Sequence, residues 1–112
     1  MNLKNVTHVT ASVSTFGGGI PEALRSLASH EESLGYHIRT IGHKDKGKEI
    51  TGWPGSGLSA LDTKKFPWMT WAPDLGSTLM GQKPAIIHTH GLWSQASITV
   101  PRVSHKANIP YL

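Results

Sequence analysis

The sequence contains no cysteine among its 112 residues. That absence excludes disulfide bonds, iron–sulfur clusters and a cysteine nucleophile, and it is compatible with a reducing compartment. No apolar run approaches the roughly 20 residues that a membrane-spanning helix needs. The first residues also lack the apolar segment of a secretory signal. We therefore expect one soluble domain, or part of one, with the cytoplasm as its default location.

Acidic residues are scarce as well, with 7 Asp and Glu against 11 Lys and Arg and a formal charge of +4. The excess is concentrated at Lys44, Lys46, Lys48, Lys64 and Lys65. Such a patch can bind nucleic acid or an anionic membrane surface, although charge runs are more often solvated loops. The solvated loop is the favoured interpretation, and no strand carries the aromatic platform that would support nucleic acid as a partner.

The amino-terminal part of the chain has the pattern of an α/β protein. Residues 6–13 alternate with β-branched enrichment, which predicts a strand. The glycine loop Gly17-Gly18-Gly19 follows, and apolar residues then recur at helical spacing from Pro21 until Gly35 ends the helix. Residues 36–41 predict a second strand. The expected product is a right-handed βαβ unit.

Residues 42–73 are rich in glycine, proline, lysine and tryptophan. An irregular stretch of this length predicts either a lid on the substrate side or short strands that the pattern does not locate. A short helix is expected from residue 73 or 74 to 80, and residues 84–90 read as a buried parallel strand.

The last part of the chain predicts one more helix and the start of a strand. Ser94 is a candidate N-cap, but Pro101 should kink a helix that begins there, so the helix either starts after Ser94 or only near Pro101. Residues 109–112 look like the entry into a further strand. We expect this strand to be cut at its start and the chain to be truncated.

The glycine loop is the first candidate binding element. Backbone N–H groups between a strand and a helix N-terminus can face a phosphate or sugar, and three glycines exceed the needs of a tight turn, which is the plainer alternative. The loop does not match the dinucleotide-binding fingerprint, because Glu22 occupies the position of the third glycine of that motif. No nicotinamide or flavin cofactor is therefore expected. A P-loop is excluded too, since residues 42–49 match that pattern except that Glu49 replaces its Ser or Thr.

Two histidines form the second candidate element. His88 and His90 are two residues apart on the predicted strand and therefore share one face near its carboxyl end. His90, beside Gly91, can hydrogen-bond a sugar hydroxyl or a phosphate, or both histidines can be structural, with His88 buried. A metal site is disfavoured because no Asp, Glu or Cys cluster stands nearby in the sequence. Trp93 can stack on a sugar ring or pack in the core.

The remaining tryptophans, Trp53, Trp68 and Trp71, lie near Lys64 and Lys65 in the irregular stretch. This combination can enter a membrane interface. Packing within the loop is the favoured interpretation.

Three features in order resemble the start of the retaining GT-B glycosyltransferases of the group 1, or family 4, type. They are His8-Val9-Thr10 leading to Gly17-Gly18-Gly19-Ile20-Pro21, the segment Ala85-Ile86-Ile87-His88-Thr89-His90-Gly91-Leu92-Trp93, and Ile109-Pro110-Tyr111. The resemblance spans nearly the whole chain. It implies an incomplete N-terminal Rossmann-like domain, with a parallel sheet and flanking helices, over residues 1–112.

The resemblance also implies an activity, namely transfer of a sugar with retention from a nucleotide-sugar donor to a glycan or lipid-linked acceptor, without a bound metal. Gly18 and Gly19 would approach the donor diphosphate, whereas His90, Gly91 and Trp93 would line the acceptor side. The C-terminal domain that grips the nucleotide is absent from this sequence, and no catalytic base is carried over, His90 being only a weak candidate. The 112-residue chain alone should not catalyse transfer.

The favoured hypothesis is therefore part of a glycosyltransferase of cell-surface polysaccharide synthesis, working in the cytoplasm and in possible contact with the inner face of the membrane. The alternative is a non-catalytic α/β module that binds carbohydrate or phosphate with the same glycine loop. A third hypothesis, that the chain binds nucleic acid, has only the net positive charge in its favour.

Overall fold

The computed structural model describes residues 4–55, 57–66, 69–91 and 94–112. Its elements in chain order are β1 (Asn5–Ser12), a 3-10 turn (Thr15–Gly17), α1 (Gly19–Ser33), β2 (His37–His43), β3 (Leu58–Leu61), β4 (Lys64–Phe66), β5 (Met69–Trp71), α2 (Leu75–Gln82), β6 (Ile86–His90) and α3 (Ala96–Ala107). Within these ranges, no helix combines the length and the apolar character needed to cross a bilayer.

The main sheet has four parallel strands in the order β3-β2-β1-β6. The chain is thus an α/β protein with a Rossmann-like arrangement, as the sequence predicts. The β1–α1–β2 unit forms because Leu24 and Ala28 bury one stripe of α1, and because Gly35, at φ +95°, ends the helix and turns the chain toward β2.

Helices cover both faces of the sheet. Successive strand residues point to opposite faces, so Val6 and Val9 of β1 enter different layers. Val6 packs with Ala28 of α1 in a small core. Val9 joins a larger core that includes Leu79 of α2 and Val100 of α3. Full burial of each such aliphatic side chain contributes about 1.5–3 kcal/mol.

The stretch that lacked a clear pattern contains three short strands. β3 extends the main sheet beside β2, whereas β4 and β5 form a separate antiparallel hairpin. Of the two alternatives for residues 42–73, the short strands are confirmed. Residues 44–55 contain no helix, in agreement with the rejection of a P-loop.

Two predictions about the carboxyl-terminal half need correction. Only Ile87 of β6 is buried, because β6 has β1 on one side and, among the described residues, only a single bridge to Tyr111 on the other. Ser94 does not cap a helix with its side chain, and α3 begins at Ala96 with Pro101 in its interior. The proline is tolerated because the buried face of α3, which carries Val100 and Val103, packs in the core and outweighs the lost backbone hydrogen bond.

The predicted entry into a further strand is confirmed. Tyr111 bridges Ile87 in parallel, the N–H of Ile87 donates to the carbonyl of Pro110 at 3.0 Å, and the N–H of Leu112 donates to the carbonyl of Ile87 at 2.9 Å. This segment therefore lies beside β6, on the side away from β1.

Candidate functional site

The order of the strands defines where a ligand can enter the sheet. From β1 the chain moves outward to β2 and β3, and it then returns to the other side of β1 as β6. The connections after β1 and β6 thus leave the carboxyl edge in opposite directions, which opens the crevice where α/β sheets bind ligands. Gly17, Gly18 and Gly19 follow β1, and Gly91 follows His90 at the end of β6. The two predicted elements lie at the same edge.

The three glycines of the loop differ in what they allow. A Cβ on Gly17 would collide with the ring of Pro21, so this glycine is required by packing. Gly18 has φ +64° and ψ −133°, a backbone conformation that residues with a Cβ rarely adopt. Gly19 begins α1 with no positive φ, and a Cβ there would meet no heavy atom within 4 Å. Packing and backbone conformation explain the first two glycines, but not the third.

A carboxylate that the sequence analysis did not identify holds the start of the loop. Asp45 accepts hydrogen bonds from the hydroxyls of Ser12 and Ser14 and from the N–H of Gly47, and the Ser14 hydroxyl in turn accepts the N–H of Phe16 at 3.1 Å. Burial on its own raises the pKa of the Asp45 carboxyl, but these three hydrogen bonds together hold it below its usual value. Asp45 is therefore a carboxylate at neutral pH that ties residues 44–47 to the end of β1.

A cleft of about 710 Å³ lies beside this loop. Its lining includes three lysines, two aspartates and the exposed ring of Phe16; the charged residues are Lys44, Lys46, Lys65, Asp45 and Asp62. Lys44 forms an exposed ion pair with Asp62 at 3.6 Å. The cleft thus combines cationic side chains with one aromatic face at the carboxyl ends of the strands.

The predicted pair of histidines is a group of three. His88 and His90 share a face of β6, and in the parallel register His8 of β1 lies directly beside His88. Nδ1 of His8 is 2.9 Å from Nε2 of His90, and Nε2 of His8 is 2.6 Å from a carboxylate oxygen of Glu31 on α1. His8 is fully buried, whereas His88 and His90 are half-buried. His88 is therefore not the buried histidine of the structural alternative.

The hydrogen bonds assign the tautomers of two rings. A carboxylate can only accept, so Nε2–H of His8 donates to Glu31 and Nδ1 of His8 accepts from Nε2–H of His90. Burial lowers the pKa of His8 despite the hydrogen bond to Glu31. Burial, together with repulsion from His88 and His8, lowers the pKa of His90 to about 4. Neutral His90 then has its Nδ1 lone pair available to accept a hydrogen bond from a ligand hydroxyl.

The other predicted site residues have separate outcomes. Trp93 and Trp68 lie outside the described residues. Trp53 is half-buried, and its indole N–H donates to the carbonyl of Ile50 at 2.7 Å, as expected for packing within the loop. Trp71 belongs to β5 and is half-buried.

Comparison of the chain with protein-family models, with curated proteins and with solved structures finds no match.

Proposed function

We propose that the chain is the acceptor-side Rossmann-like domain of a retaining glycosyltransferase of the GT-B architecture, in which a second domain supplies the nucleotide pocket. The observation that carries the proposal is the placement of the glycine loop and of the His90–Gly91 turn on the two strands that flank the crevice. A transferase that joins a donor to an acceptor needs both contacts at one edge of the sheet.

The glycine loop is assigned to the donor phosphates. Backbone N–H groups at the start of α1, a helix of 15 residues, are oriented toward an approaching anion, and the helix dipole favours negative charge there. The open space above Gly19 lets a diphosphate come close to the backbone. Asp45 keeps the preceding turn in one conformation, which reduces the entropy lost on binding.

His90 is assigned to the acceptor. With Nε2–H committed to His8, its Nδ1 accepts a hydrogen bond from a sugar hydroxyl. Glu31 fixes the ring of His8 and thus acts on His90 indirectly. His8 and Glu31 are positioning residues in this scheme, and His90 is a binding residue whose role in proton transfer would depend on its distance from the reacting hydroxyl.

The cleft with the three lysines fits an acceptor that carries phosphate or carboxylate groups, such as a lipid-linked glycan. An acceptor of this class would bring the enzyme to the inner face of the membrane. The transfer itself needs no metal in this proposal, because the donor phosphates are neutralised by backbone N–H groups and by the second domain.

The test is a sugar-transfer assay on the full-length enzyme with Gly19→Asp and Gly19→Asn. A carboxylate against the donor phosphates should lower kcat/KM by roughly 100-fold or more, whereas the neutral amide of equal size should lower it by about 10-fold at most. An aspartate at the first position of a helix stabilises the helix, so loss of activity cannot be ascribed to unfolding. Equal activity of the two variants would contradict the assignment. Gly18→Asp is less informative because its positive φ strains any replacement.

The alternative is a carbohydrate- or phosphate-binding module that works without a second domain. The glycine loop and the cleft beside it are the observations behind this alternative. Titration of the chain with a phosphorylated glycan and with UDP- and GDP-sugars separates the two functions. The transferase domain should bind the nucleotide sugars weakly, because their nucleotide pocket lies elsewhere. Tight nucleotide-sugar binding would place the donor site within this chain.

A further inference from the structure

The three histidines on the α1 side of the sheet have a geometry that goes beyond contact with an acceptor. We propose that His8, His88 and His90 form a transition-metal site, best suited to Zn²⁺, that joins β1 to β6. One nitrogen of each ring lies within 4.8 Å of one nitrogen of each of the others. The name His₃ site is used below for these three residues.

The backbone builds the His₃ site. In the parallel register His8 is level with His88, and Thr10 is level with His90, so residues from both strands project from one face. The ring centroids are 5.1 Å apart for His8 and His88, 5.0 Å for His8 and His90, and 4.2 Å for His88 and His90. Three imidazoles from two hydrogen-bonded strands are thus brought together before any ion binds.

The nitrogen positions need little change to coordinate a metal. Zinc–nitrogen bonds of about 2.0–2.1 Å place two ligands of a tetrahedron roughly 3.3 Å apart. Nδ1 of His8 and Nε2 of His90 are 2.9 Å apart, so these two nitrogens need to separate only slightly. The ligand nitrogen of His88 lies within 4.8 Å of both and would move toward them by rotation of its half-buried ring. The proton on Nε2 of His90 would move to Nδ1, which leaves the ring neutral and frees the ligand atom.

Glu31 supplies the outer contact that metal-binding histidines usually have. It accepts the Nε2–H of His8 at 2.6 Å and so leaves Nδ1 of the same ring as the ligand atom. A carboxylate in this position orients the ring and raises its basicity toward the ion. Glu31 lies on α1, far in sequence from His88 and His90. The sequence around those two histidines therefore did not indicate that a carboxylate lies nearby.

The chemistry of the three side chains favours a transition metal. Nitrogen ligands select zinc and its neighbours among the transition metals over Mg²⁺ and Ca²⁺, which prefer oxygen. Three protein ligands would leave a fourth position for water or an anion.

The inference does not rest on the proposed transferase function, but it shares His90 with the proposed acceptor contact: with an ion on Nε2, the Nδ1–H of His90 would donate to an acceptor oxygen and could no longer accept from a hydroxyl. Metal binding itself can be measured without donor or acceptor. Its test therefore uses the 112-residue chain, prepared without a histidine tag, and no sugar. Zn²⁺ is titrated in competition with a chromophoric chelator, and Co²⁺ is added in parallel to record the absorption of a tetrahedral site. We expect one ion per chain with a dissociation constant of about 1 μM or below.

Variants show which histidines bind the ion. His88→Asn and His90→Asn should each weaken binding by ~10-fold or more, and Glu31→Gln should weaken it by roughly 10-fold through His8. The matched control is His105→Asn, an exposed residue in the last turn of α3, which should leave the affinity unchanged. Equal affinity of His88→Asn and His105→Asn would overturn the proposal.

A second measurement keeps the test decisive if a variant fails to fold. The imidazole nitrogen chemical shifts of the unmodified chain should change on addition of Zn²⁺ for His8, His88 and His90, with Nδ1 of His8 as the directly bound nitrogen. Binding should also raise Tm, as any ion that binds only the folded state does. Shifts confined to other histidines would place the ion elsewhere and refute the His₃ site.

Discussion

His43 and Gln95 form a buried hydrogen bond in which Nε2–H of His43 donates to Oε1 of Gln95 at 2.9 Å. The same amide oxygen accepts the N–H of Ala72 at 2.6 Å, and the amide nitrogen donates to the carbonyl of Ala72 at 2.8 Å. The side chain of Gln95 thus joins the end of β2, the residue directly after β5 and the start of α3. His43 also lines the lysine-containing cleft, so these hydrogen bonds hold one of the residues that form the cleft wall.

Replacement of Gln95 by leucine should lower the free energy of unfolding by about 3–5 kcal/mol. The change keeps the volume but leaves the ring N–H of His43 and both backbone groups of Ala72 buried without their partner. Urea denaturation monitored by circular dichroism measures the loss. Ser97→Ala, an exposed change on the same helix, should stay within about 0.5 kcal/mol of the unmodified chain. If Gln95→Leu lowered the free energy of unfolding as little as Ser97→Ala does, water would have to replace the amide as hydrogen-bond partner of His43 and Ala72.

Stability should decrease in mild acid, and His43 is one contributor beside His8 and His90. Burial lowers the pKa of the His43 imidazole from the ordinary 6.5, and the hydrogen bond to Gln95 opposes this only in part. The unfolded chain therefore binds more protons than the folded chain below that value. The contribution of His43 is complete above roughly pH 7 and is lost as the pH falls below 6.5, with a slope of at most ~1.4 kcal/mol per pH unit.

Urea unfolding between about pH 7.5 and about pH 5 tests this dependence. His43→Gln should reduce the slope of stability against pH, since the amide does not titrate, while His8 and His90 keep part of the dependence. Parallel curves for His43→Gln and the unmodified chain would show that another group is responsible.

The two open glycines of the loop should respond differently to alanine. Gly18→Ala should cost about 1–3 kcal/mol, because φ +64° with ψ −133° is unfavourable for a residue with a Cβ even though no atom crowds it. Gly19→Ala should be neutral or stabilising by up to about 1 kcal/mol, since it restricts the unfolded chain and extends a helix. Thermal unfolding of both variants measures the difference. Similar Tm values would indicate that the loop relaxes around residue 18.

The unit from β1 to β2 could be predicted because its signals are local. Strand alternation, the glycine loop, the apolar stripe of α1 and Gly35 all act over a few residues. β3 could not be located in the same way, since its four residues gain their stability from pairing with β2. Pro101 misled the prediction for the same reason, because the core packing of α3 outweighs the local preference.

The candidate site was predictable only where it lies on one strand. The spacing of His88 and His90 indicates a shared face, and this part is confirmed. Their association with His8 depends on which strands are neighbours and on the register between them. Glu31 lies 23 residues from His8 on a helix, where a glutamate normally faces solvent. The sequence carries no periodic signal for either relationship.

The two layers of the sheet are unequal, and this has a consequence for motion. Among the residues that the structure describes, three form the buried apolar cluster under α1, whereas ten form the cluster under α2 and α3. Segments with less buried apolar surface open at lower free energy in native-state hydrogen exchange. Amide protons of α1 should therefore exchange through partial openings in which α2 and α3 stay folded. Gly19 at one end of α1 and Glu31 near the other would then be released together, so that the glycine loop and the three histidines belong to one cooperative unit.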